Sequence, residues 1–191
     1  MNFLAIFLSA SLSDNILLMR FLGLCPYIGM SVDINKSVGM GLAVTFVTVM
    51  ATVVTWPIYT FILVPLQLTF LQILVFILVI ASLVQLVEFF LKKNVPGLYA
   101  SMGIYLPLIT TNCAILAVTF DNISKGFNLF ESVAYAIGVA IGFMLALVLL
   151  AGLRDRLKTS PVPKFLQGTP ILFAATSLLA VAFMGFSGLI K

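Results

Sequence analysis

The sequence contains no histidine and very little charge: six acidic and ten basic side chains in 191 residues. Without imidazole, histidine metal sites and histidine acid–base catalysis are excluded. At 8% charged residues, the chain cannot clothe the surface of a soluble domain, where about 25% is usual. Cysteine is nearly absent too, with Cys25 and Cys113 the whole complement. No lysine or arginine precedes Arg20, so the basic leader of a secretory signal peptide is missing and the apolar N-terminus reads as a span that stays in place. What fills the chain is apolar: 62% hydrophobic residues and a mean hydropathy of +1.24. The net charge of +4 comes from basic residues scattered over short loops, a topology signal rather than a nucleic-acid surface.

Six apolar blocks stand between polar or Pro/Gly interruptions, near Phe3–Leu24, Val38–Tyr59, Leu68–Leu91, Leu98–Phe120, Phe130–Leu153 and Thr169–Ile190. Each matches the ~20 residues that a membrane helix needs. Uninterrupted runs such as 73–80 lack the period-two alternation of an outer-membrane barrel, so the expected fold class is an all-α membrane protein with six transmembrane helices. No room is left for a soluble catalytic domain, and any complete active site must belong to partners.

Lysine and arginine set the expected orientation. The loops after blocks one, three and five hold Arg20, Lys36, Lys92, Lys93, Arg154, Arg156, Lys158 and Lys164, whereas the other side holds Lys125 and Lys191. Cytoplasmic loops collect basic residues, so both termini are expected to face outward. The chain also divides into two related halves, about 1–95 and 96–191, each with three blocks and one cysteine late in its first block. Three spans per half require inverted copies, a plan whose sites gather near the midplane at broken helices. The whole of 1–191 then forms one transmembrane domain.

The imperfect blocks are the first and the fourth. The first carries Asp14, Asn15 and Arg20 and ends in Gly23-Leu24-Cys25-Pro26; the fourth holds Pro107 and then Thr110-Thr111-Asn112-Cys113. Proline removes a backbone donor, and freed backbone groups are tolerated at depth only inside protein or beside a cavity. Both cysteines therefore occupy expected helix breaks at matching places. Three readings stay open at this point. A membrane cysteine usually behaves as a small apolar side chain, the two could form a disulfide in an oxidising compartment, or they could ligate metal. A cluster usually takes four thiolates, so ligation would need a second subunit of similar construction, with the cluster at the interface.

Other residues carry weaker signals. Glu88, one turn before Lys92, is either an ion-path carboxylate or half of an i,i+4 pair. Asp14 and Arg20 face water or a partner. Gly138 and Gly142, and the cluster Gly39, Gly41 and Ala43, allow close helix approach. Trp56 and Tyr59 suit an outer aromatic belt. Broken helices and inverted repeats would serve a small secondary transporter with a midplane substrate site equally well.

Phe21-Leu22-Gly23-Leu24-Cys25-Pro26, Leu106-Pro107-Leu108-Ile109-Thr110-Thr111-Asn112-Cys113-Ala114 and the closing Ala182-Phe183-Met184-Gly185-Phe186-Ser187-Gly188-Leu189 resemble one family over essentially the whole chain. It is the A-type family of the Rnf electron-transport complexes, similar to the E subunit of the sodium-pumping NADH:quinone reductase. The resemblance implies a subunit of an ion-translocating ferredoxin:NAD oxidoreductase in a bacterial or archaeal cytoplasmic membrane. It implies an antiparallel pairing with the complex's E subunit, and B, C, D and G subunits that hold the flavins and remaining clusters. It further implies a [2Fe–2S] cluster shared within the membrane, with Cys25 and Cys113 as this chain's two ligands, coupled to sodium or proton transport.

Overall fold

A backbone in lipid must satisfy its own amides, and every element of the computed structural model is helical, with no strand among the described residues. Those residues are 3–13, 15–65, 69–94, 109–161, 163 and 167–185. Asp14, Pro107, Lys164, Lys191, the 98–108 part of the expected fourth block and the closing motif beyond Gly185 lie outside them.

The expected first block is three short pieces. Helix α1, Phe3–Leu8, runs into a π turn at Ser9–Ser13; α2 is Ile16–Arg20 and α3 is Leu24–Met30. Helix α4, Ile34–Ile58, contains Pro57 and continues as a π turn over Tyr59–Leu63. A 3-10 turn at Thr69–Leu71 leads into α5, Gln72–Asn94. Then follow α6, Cys113–Ser124; α7, Leu129–Lys158; and α8, Thr169–Met184. Among the described residues, three stretches are long and apolar enough to cross a membrane: Ile34–Leu63, Gln72–Phe89 and Leu129–Lys158. Helices α6 and α8 are shorter, at 12 and 16 residues.

Helix α7 is the axis of the packing, because small residues let neighbours approach its backbone. A Cβ on Gly138 would lie 2.8 Å from the Phe7 carbonyl oxygen, and one on Gly142 2.7 Å from that of Ser11. The α1 segment therefore rests directly on these two glycines, as their spacing predicts. Gly41 of α4 likewise abuts Met144, whereas Gly39 meets nothing within 4 Å. Buried Thr48, Thr52 and Thr55 donate to carbonyls four residues back in α4, so apolar packing there leaves no hydroxyl hydrogen orphaned. Helix α5 is the least covered, exposing Leu74, Leu78 and Leu86, and touches α6 through an edge-on Phe76–Phe120 pair at 5.8 Å.

The structure corrects two sequence expectations. Pro26 does not end a helix; it stands third in α3, within the first turn, where a missing N–H costs nothing. Arg20 does not share an end of the molecule with Lys36. Its guanidinium pairs with Asp121 at 2.9 Å, and Asp121 accepts a hydrogen bond from the Tyr135 hydroxyl. Lys36 lies beside Ala151 and Asp155, twenty residues further along α7 and thus about 30 Å away at 1.5 Å per residue. Long side-chain reach across the fold, invisible to loop counting, places Arg20 with the opposite end.

Candidate functional site

Both cysteines stand in the first turns of helices that begin inside the fold. Asn15 follows the π turn and caps α2, its side-chain oxygen accepting from the Leu17 N–H at 3.2 Å. Just beyond α2, Phe21 adopts φ 54° and Gly23 φ 84°. Left-handed backbone is costly for a bulky L-residue, and such strain persists only where surroundings enforce it. The two left-handed residues reverse the chain between α2 and α3, so that Cys25 is the second residue of α3.

The second cysteine is positioned from the other half of the chain. Asn112 caps α6, accepting from the Ala114 N–H at 3.0 Å, and Cys113 is the first helical residue. Its sulfur sits at the N-terminal end of a 12-residue helix. The Gly23 N–H points at it, with nitrogen to Sγ 2.9 Å. Only glycine fits at that approach: an added Cβ would lie 3.0 Å from Phe143, 3.1 Å from the Asn112 side-chain oxygen and 3.2 Å from the Ala114 Cβ.

The fold thus brings the two cysteine-bearing breaks into contact across 90 residues of sequence. Cys25 follows Gly23 by two Cα–Cα steps of ~3.8 Å each. Both thiols are free and exposed. Among the described residues, no three His, Cys, Asp or Glu side chains gather as a metal site; any shared centre would need ligands from a neighbour. Beside Cys113 is a cavity of about 280 Å³ walled by Ile77, Ile80 and Ala81 of α5 and by Thr110, Thr111, Asn112 and Leu116.

Other residues singled out in the sequence sit elsewhere. Glu88 is half-buried in α5, one turn before Lys92. Trp56 donates from its indole to the Phe127 carbonyl at 3.0 Å, tying α4 to the turn before α7. Asp121 escaped sequence reasoning: it is the acceptor for both Arg20 and Tyr135. Its one signal is a charged side chain in the last turn of an otherwise uncharged helix, met by a contact across 101 residues.

An all-helical architecture with long apolar helices, interrupted where the two cysteines stand, defines a membrane protein. The chain belongs to the Rnf-Nqr family: the family described as "Rnf-Nqr subunit, membrane protein" matches residues 3–190. It is 52% identical to the A subunit of the ion-translocating oxidoreductase complex of Syntrophotalea carbinolica, covering 99% of this chain and 98% of that one. It is 50% identical, with the same coverage, to the A subunit of the Na(+)-translocating ferredoxin:NAD(+) oxidoreductase complex of Acetobacterium woodii. With the proton-translocating counterpart from Clostridium ljungdahlii it shares 49% over 100% of this chain and 98% of that one.

Proposed function

We propose that this chain is the A-type membrane subunit of an ion-translocating ferredoxin:NAD oxidoreductase and relays electrons through a [2Fe–2S] cluster shared with an antiparallel E subunit. The observation that carries this reading is the contact of the Gly23 amide with Cys113 Sγ, which joins the two cysteine-bearing helix starts. In this reading six spans form two inverted repeats in the cytoplasmic membrane, both termini outward, and B, C, D and G subunits complete the assembly.

The residues fit such a group. Thiolates are the usual cluster ligands, both cysteines are exposed, and the Gly23 amide lies against the Cys113 sulfur. When bound, a [2Fe–2S] cluster supplies one-electron transfer. This chain's part is to hold two ligands and to enclose charge that would be costly in lipid. Gly23 presents an N–H to one sulfur, and α3 and α6 fix where the ligands stand. The sodium- and proton-translocating relatives are equally similar, so overall likeness does not select the coupling ion.

The test is replacement of Cys25 or Cys113 by alanine in the assembled complex. Each should abolish the membrane cluster's EPR signal and remove about two iron atoms per complex, the content of one [2Fe–2S] cluster. An undiminished signal rejects the ligand role. A transporter acting alone would instead bind a solute as an isolated, iron-free chain.

A further inference from the structure

Two asparagines cap helices in the same way, yet only one is satisfied. The Asn15 side-chain oxygen accepts from the amide two residues on, and its NH2 group donates to the Gly142 carbonyl at 2.9 Å. Asn112 makes the same cap with its oxygen, which fixes its NH2 group on the other side. That nitrogen is buried without a partner, on a residue only 4% exposed. Leaving a buried donor unpaired costs more than a typical hydrogen bond returns, and lipid offers no water to relieve it. Each specific orphan of this kind calls for an occupant.

The surroundings say what the occupant is like. Asn112 lines the cavity beside Cys113, whose other walls include Ile77, Ile80, Ala81 and Leu116. An occupant there finds an amide donor, a thiol and the two threonines Thr110 and Thr111 against otherwise apolar walls. A strongly hydrated anion would leave most of its acceptors unmet. A metal-bound sulfide, large and weakly polar, would be served by one or two N–H groups. The Cys113 sulfur already accepts from Gly23.

We propose that Asn112 Nδ2 donates a hydrogen bond to an inorganic sulfide of the cluster whose ligand is Cys113, and thereby sets its reduction potential. The inference rests on the shared-cluster reading above and adds a positioning residue to it. Adding one electron makes the sulfides more negative, so the donor stabilises the reduced form more and holds the potential up. A quinone carbonyl would present the same acceptor chemistry, and the experiment separates the two.

Asn112→Ser and Asn112→Asp both keep a capping oxygen and remove the amide donor. In the intact complex, each should retain its iron. At the wild-type midpoint the reduced-to-oxidised ratio should fall about tenfold, or ~59 mV for one electron. With 15N-asparagine labelling, pulsed EPR of the wild type should show a nitrogen coupling that both variants lose and that Asn15→Ser keeps. Unchanged potential and coupling in both variants overturn the proposal. So does loss of iron in both, which makes Asn112 a capping residue only. Weakened binding of a quinone analogue with an unaltered cluster overturns it in favour of a quinone pocket. A signal surviving Cys25→Ala rejects the underlying reading instead, and is distinguishable because it leaves no cluster at this site to tune.

Discussion

At the scale of single residues, glycines divide by what stands opposite them. A Cβ on Gly142 would strike the Ser11 backbone, whereas one on Gly152 meets nothing within 4 Å. Gly142→Ala should therefore destabilise the chain by about 1–3 kcal/mol through overpacking. Gly152→Ala should stabilise it by about 0.5–1 kcal/mol through helix propensity. Thermal unfolding in detergent checks both signs, and equal effects would remove the packing account. Gly23→Ala faces φ 84° as well as close contacts. It should cost roughly 1–2 kcal/mol for the left-handed backbone alone and reduce iron content in the assembled complex. The close packing at Gly138 and Gly142 was legible in the sequence because the four-residue spacing itself produces it. The role of Asn112 was not, because a cap's spare amide is defined by neighbours from α5 and the first half of the chain.

Among the elements, the Arg20–Asp121–Tyr135 network joins α2 to α6 and α7. Arg20 is 49% exposed and Asp121 14%, so the pair contributes modestly, as half-exposed pairs do. Asp121→Asn should lower stability by about 1–2 kcal/mol, with Tyr135→Phe losing less, since it leaves both Arg20 bonds to the carboxylate in place. Matching losses for Asp121→Asn and Tyr135→Phe in detergent melting would show that the Arg20 bonds contribute nothing. Sequence pattern showed that the first and fourth blocks are interrupted and that both cysteines stand at the interruptions. It misjudged how. Pro26 looked like a terminator because proline breaks helix interiors, yet it stands in a first turn. Asp14 and Asn15 marked the first block as imperfect, but the left-handed Phe21 gave no signal, since a phenylalanine does not announce backbone reversal.

For the whole molecule, basic residues remain concentrated at one end after Arg20 is moved. Arg154, Arg156 and Lys158 crowd the last turns of α7, while Lys125 sits over the Tyr135 ring, 4.4 Å from its centroid, near the helix start. In the orientation proposed from the positive-inside rule, the 125–128 turn is outside and Ser160 inside. Epitope insertions at Gly126 and at Ser160 should be cut by added protease in spheroplasts and in inverted vesicles respectively. The reverse pattern would invert the topology. Membrane residence was readable from composition and the all-helical class from apolar runs without alternation; the separation of Arg20 from Lys36 was not, because it depends on a side chain reaching across the fold.

The amide that approaches Cys113 is contributed by residue 23, ninety positions earlier. During biogenesis, then, the first segments leave the ribosome with an unfinished half-site, and nothing before α6 can complete it. On the shared-cluster reading proposed above, metal would be loaded after synthesis, on a folded and docked apo-protein. With the partner subunits present, severing the chain between α5 and α6 should yield fragments that support no iron binding singly and recover it only when co-expressed.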